Sequence, residues 1–116
     1  MWKKIQQAIE SIGVDCYPPA TKQGECTSPY VVVKLSGASQ ISNFSSMTNY
    51  IDIMIYVPKS QYTELEEVKK RIEECLDGLY PMIAPAGTET PDYYDDSVKA
   101  HMKSIMYRFT TRNLHL

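Results

Sequence analysis

Asp92, Asp95, Asp96 and His101 fall in one short stretch of the chain and are the residues whose types could do chemistry. Clustered carboxylates beside an imidazole can hold a divalent cation, and metal-assisted phosphodiester hydrolysis uses such groups. A small metal-dependent phosphodiesterase or nuclease built on these four residues is therefore one reading. It also needs a ligand from elsewhere in the chain, and Glu89 and Asp52 are available without being forced by spacing. The other reading is an acidic surface patch or a set of helix caps, and it is preferred. Nucleophilic catalysis has less to build on. There is no GxSxG, HExxH or glycine-rich phosphate loop, and the histidines are His101 and the penultimate His115. No catalytic residue, metal ligand or cofactor is assigned, and the chain is expected not to be an enzyme.

Charge and cysteine usage narrow the partners. Lys and Arg total 12 against 14 Asp and Glu, for a formal charge of −2. Nucleic-acid binders draw most of their affinity from basic contacts to phosphate. The densest basic cluster, Lys69, Lys70 and Arg71, sits in an acid-rich helical segment and reads as a solvated helix face. Sequence-specific nucleic-acid binding is not expected. Three cysteines, Cys16, Cys26 and Cys75, show no zinc spacing. Cys16 and Cys26 flank a loop and leave a disulfide open as a disfavoured alternative. The N-terminus lacks an apolar signal segment, and the run Ile53 to Val57 is too short to cross a bilayer. A reduced, cytoplasmic, soluble protein without membrane contact is expected.

The elements that must position these residues follow from periodicity. Trp2, Ile5, Ile9 and Ile12 recur at helical steps, with Gly13 as a stop. Val14 to Tyr17 reads as a brief strand. Tyr30 to Leu35 reads as a strand with Val31, Val33 and Leu35 on one face. Asn49 to Val57 alternates Ile51, Ile53, Ile55 and Val57 against Tyr50, Asp52, Met54 and Tyr56. Between these strands, the Ser-rich stretch from Ser36 to Thr48 is a mobile loop or the tip of a long hairpin. Leu65, Val68, Ile72, Leu76 and Leu79 mark the strongest helix, with Ser60 or Thr63 as its cap, a capping box at Thr63 to Glu66, and Gly78 as its stop. Prolines 81, 85 and 91 with Gly87 make the segment from Tyr80 to Thr90 an irregular connection. A short helical turn is expected from Val98 to Met102. A final strand from Lys103 to Leu116 sets Ile105, Tyr107 and Phe109 against Arg108, Thr110 and Arg112. At 116 residues this is one domain, 1–116. It is α+β, with an antiparallel or mixed sheet of about four strands and two helices, in the order α-β-β-β-α-β. Nine tyrosines are generous: Tyr93, Tyr94, Tyr50 and Tyr56 either anchor an interface or, the preferred reading for each taken singly, cap the core edge with their hydroxyls in water.

Several stretches resemble small prophage proteins of Gram-positive bacteria. They are the opening Met1-Trp2-Lys3-Lys4-Ile5, the strand Pro29-Tyr30-Val31-Val32-Val33-Lys34 and the strand end Tyr56-Val57-Pro58. The run from Thr88 to Met102, followed by Ser104-Ile105-Met106-Tyr107-Arg108, resembles them most. The order of elements is similar to that of tail terminator proteins of long-tailed phages. The resemblance implies a virion structural protein that caps the finished tail tube and faces the head connector, with head–tail joining and tail completion as neighbouring roles. It implies a ring, commonly of six subunits, formed in the host cytoplasm and retained in the virion. The expected partners are other copies, the tail tube protein and the head connector proteins. Interface candidates are Tyr93, Tyr94, Asp95, Asp96, His101, Arg108 and Arg112, with Asp92, Asp95 or Asp96 pairing to Arg108 or Arg112 of the next subunit.

Overall fold

The computed structural model describes residues 2–19, 24–40 and 46–112. Residues 41–45 of the Ser-rich segment and His115 lie outside the described residues. The chain runs α1 (Trp2–Glu10), β1 (Asp15–Tyr17), β2 (Tyr30–Gln40), β3 (Ser46–Pro58), a 3-10 segment (Lys59–Glu64), α2 (Leu65–Asp77), β4 (Ala84–Glu89), β5 (Tyr93–Asp95) and β6 (Ala100–Arg112). The architecture is α+β: one mixed open sheet of six strands in the order β1-β2-β3-β6-β4, with β5 also on β6 and two helices on one face. β1 runs parallel to β2, and every other pairing is antiparallel.

The alternating isoleucines of β3 build the core. Ile51, Ile53, Ile55 and Val57 are buried between the sheet and both helices, which contribute Ile5, Ile9, Leu65, Val68, Ile72 and Leu76. Strand β6 continues this face with Ile105 and Tyr107, and β2 with Val31 and Val33. Burial pushes the Tyr107 phenol well above its ordinary range. The opposite face carries a smaller cluster of Cys26, Tyr30 and Ala100, edged by Tyr17, Val32, Tyr56 and Val98. Residues 24–29 cross that face, where the Cys26 N–H donates to the Val98 carbonyl at 2.8 Å.

Three long strands outrun the helices. At about 3.3 Å per residue, β3 spans ~43 Å and supplies most of the 51 Å long dimension of a molecule only 26 and 24 Å across. The segments 36–40, 46–50 and 108–112 therefore form a three-stranded arm. Where the Ser-rich stretch is described it belongs to a long hairpin, with β2 reaching Gln40 and β3 starting at Ser46.

Several expectations are corrected. The sheet has six strands, because the segment read as an irregular connection supplies β4 and the acidic segment after it supplies β5. Both are short edge strands on β6, and β4 has an irregular register, which is where proline and glycine are tolerated. Leu35 shares a face with Val31 and Val33 yet is 61% exposed. It lies past the end of β1, beside a bulge between Leu35 and Gly37. Neither Ser60 nor Thr63 caps α2: the 3-10 segment leads straight into it, and Glu64 at the cap position makes no side-chain bond. Cys16 lies in the main core and Cys26 in the cluster across the sheet, so the disfavoured pairing is not made.

The segment 98–102 is also not helical. Residues 96–99 turn the chain from β5 into β6, and Lys99 closes the turn with φ at +52°. A left-handed conformation costs a side-chain-bearing residue about 1–2 kcal/mol. Glycine avoids that cost but brings about 0.5–1 kcal/mol of extra unfolded-state freedom. Lys99→Gly is therefore expected to stabilise the protein by roughly 0.5 kcal/mol in a thermal melt. A loss instead would mean that the exposed 4.0 Å contact of Lys99 with Glu25 contributes more than such a pair should.

Candidate functional site

The sequence-selected residues divide between the two faces of the sheet. Strand β5 pairs Tyr93 with Met102, Tyr94 with His101 and Asp95 with Ala100. Alternation then sends Tyr94 and His101 to the helix side and Tyr93 and Asp95 to the other. On the helix side, His101 lies between two tyrosine edges, 4.6 Å from the Tyr62 ring and 5.2 Å from the Tyr94 ring. The Tyr62 hydroxyl donates to Asp92 Oδ2 at 3.0 Å, and this bond to a carboxylate raises the pKa of the phenol.

Next to this aromatic group stands Lys103. Its ammonium lies 2.7 Å from Glu66 Oε1, 3.3 Å from Asp92 Oδ1 and 3.9 Å from Glu89 Oε2, and its side chain is only 11% exposed. Lys69 extends the group, 2.7 Å from Glu89 and 3.8 Å from Glu73. The pKa of Lys103 is raised first by its bond to Glu66, and that of Lys69 by its bond to Glu89. Glu89 is held below its ordinary value, first by Lys69. Four carboxylates from α2, β4 and the following loop thus converge on two lysines and fasten the β4–β5 edge to the helix layer. None of these partners except Asp92 and the unforced Glu89 was singled out by sequence. The Lys69–Glu73 spacing of four is legible as a helical pair, whereas convergence on Lys103 depends on the path of β4.

Across the sheet, the Tyr93 hydroxyl meets the Met102 sulfur at 2.6 Å. Asp95 Oδ1 accepts from the Ser97 N–H at 3.0 Å and its hydroxyl at 2.6 Å, so this aspartate closes a turn between strands and caps no helix. Tyr30 and Tyr56 stack at 4.8 Å, and burial with nearby Cys26 pushes the Tyr30 phenol up to about 12. Asp96 is exposed in the turn. Arg108 is exposed at the root of the arm, and Arg112 is described only by its strand position opposite Ser46. Seven residue steps along the strand separate His101 from Arg108, about 23 Å, so the acidic end and the arm form two separate surfaces.

Asp92 and His101 are brought to the same tyrosine, while Asp95 lies on the other face and Asp52 pairs with Lys34 and Met106 there. Among the described residues, no group of three or more His, Cys, Asp or Glu side chains is placed to hold a metal ion. Where Glu66, Glu89 and Asp92 do converge, the Lys103 ammonium occupies the cation's place. No helix among the described residues is long and apolar enough to cross a membrane. The chain matches no protein-family model and no curated protein.

Proposed function

We propose that this chain is a structural subunit of phage tail assembly, of the tail terminator or head–tail joining kind, which works as a ring against the tail tube protein and the head connector. The observation that carries the reading is the three-stranded arm. It extends past the helix layer, and in a lone domain it would be a sheet with open sides. Subunits that use one surface to meet a different surface on the next copy close into rings when the rotation fits. The clamp around Lys103 supports the same reading, because it spends the acidic residues on fastening an edge rather than on a reaction. The resemblance to small prophage proteins supplies the tail context. The hydrolase reading would need Asp92, Asp95, Asp96 and His101 around one point, and no observation favours it.

Deletion of the gene from an inducible prophage, followed by electron microscopy of the lysate, tests the proposal. Filled heads lying apart from tails of abnormal length are the expected result. Intact, infectious particles would overturn it.

A further inference from the structure

The arm is open along both sides. On its side away from β3, β2 has no strand partner beyond Val32 among the described residues, and the Val33 carbonyl is taken by the Trp2 indole N–H at 3.0 Å. On the far side, the pairing of β4 with β6 reaches Arg108 and goes no further toward the tip. Ser104 exchanges bonds with Thr90, so its backbone faces away from β3. Alternation then turns the backbone of Thr110 and Arg112 outward as well. The same alternation from Val33, carried through the bulge, turns Ala38 and Gln40 outward on β2.

Lone domains blunt open edges with charge, proline or bulges, and β4 does so with Pro85 and its irregular register. Toward the arm tip, residues 36–40 contain neither a charge nor a proline, and on β6 the only charges, Arg108 and Arg112, flank an uncharged stretch 109–111. Both β2 and β6 are antiparallel to β3, so they run parallel to each other on opposite sides of the arm. Each side therefore suits the other side of a second copy. A foreign strand would fill one side and leave the other open, whereas a copy fills both and repeats.

Apolar side chains lie beside both edges. A groove of about 340 Å³ lies against the β6 side, between Tyr80, Pro81 and Met82 and the strand at 108–110. Tyr80 is 69% and Met82 40% exposed. The β2 side carries the exposed Leu35, level with Tyr107 through their shared partner Ile51, next to the root of that groove.

We infer that copies of this chain join edge to edge along the arm, with β2 of one lying parallel to β6 of the next and Leu35 entering the groove beside Tyr80 and Met82. The inference rests on the ring proposed above and names its seam. Ser39 and Thr110 both pair with Thr48, so they stand in one row and become neighbours across a level seam. Adjacent strands there lie within disulfide range.

The test mixes purified full-length Ser39→Cys and Thr110→Cys variants, oxidises them, and identifies the disulfides by mass spectrometry. Native Cys16 and Cys26 are buried. In parallel, Ala38→Pro and Thr110→Pro each remove one outward N–H, and Leu35→Ser removes the apolar contact. Sedimentation follows assembly and thermal melts follow the fold. A mixed 39–110 disulfide is expected, with all three seam variants monomeric at concentrations where the parent assembles, and Leu35→Ser melting as the parent does at a dilution where neither assembles. Disulfides joining only like positions would overturn the parallel seam. Rings without the mixed disulfide would overturn the seam and leave the ring. A chain that stays monomeric at every concentration would overturn both. The mixed disulfide in a chain whose gene deletion leaves particles intact would keep the seam and remove the tail function.

Discussion

Replacing Ile53 by alanine is expected to lower the unfolding free energy by about 2–5 kcal/mol, and Ile72→Ala by a similar amount. Both side chains are fully buried, one in the centre of β3 and the other on the facing turn of α2. Truncation removes the transfer free energy of the lost carbons and leaves a cavity that rigid β-branched neighbours cannot collapse. Ile53 is the more demanding site, because its register partners Val33 and Ile105 are themselves buried and cannot move inward without breaking the ladder. Chemical denaturation should show the loss in the midpoint with little change in slope. Near-neutral values at both positions would mean that α2 does not sit on this row of isoleucines.

The second large effect is expected at Lys103. Lys103→Met keeps the apolar stem and removes the charge that Glu66, Glu89 and Asp92 share. Asp92 Oδ1 is closed to solvent and makes no aligned hydrogen bond, so without the nearby ammonium it becomes an uncompensated buried acceptor. A loss of about 1–3 kcal/mol follows, more than an exposed ion pair supplies. Adding Asp92→Asn should recover part of it, so the double change costs less than the sum of the singles. The pH dependence has a defined sign. Glu89 sits below its ordinary 4.5, so its contribution is complete above that value and fades as acid takes pH through the lowered one. Lys103 and Lys69 sit above their ordinary 10.5, so theirs is complete below that value and fades as pH rises through the raised ones. Melting temperature plotted against pH should fall at both ends in the parent and more shallowly in Lys103→Met. An unchanged profile would show that the lysine is not the centre of the clamp.

The long elements were legible because their periodicity is strong and tertiary packing agrees with it. Trp2, Ile5 and Ile9 on α1, the isoleucines of β3, the Leu65-to-Leu76 stripe of α2 and the Ile105–Tyr107–Phe109 face all lie where their spacing places them. What was not legible depends on partners remote in sequence. Pro85 and Gly87 read as punctuation, yet they sit in an edge strand that makes only part of a ladder. Leu35 continues an apolar face beyond the point where the helix layer covers it. Val98 to Met102 resembles a helical turn until Lys99 takes its left-handed conformation. The candidate site divided for the same reason. Residues 92 to 101 are neighbours in the chain, but alternation along β5 and β6 deals them to opposite faces, and their real partners, Tyr62 and Glu66, come from α2 and the segment before it.

The position of β3 in the middle of the sheet also sets an order of events during synthesis. Its neighbour β2 precedes it and can form a hairpin as soon as both strands are made, while α1 and α2 arrive in time to cover the isoleucine row. Its other neighbour, β6, emerges only after α2, β4 and β5. Until then the most apolar strand of the protein has one satisfied side and one bare ladder, the kind of intermediate in which premature pairing between nascent chains begins. Long-range closure of this sort is slow in proportion to the loop that must be ordered first. The step that commits the chain to its fold is thus the docking of β6, and the same strand carries Lys103 and one side of the arm. A chain that has not finished folding therefore has neither a fastened edge nor a completed surface with which to meet its neighbours.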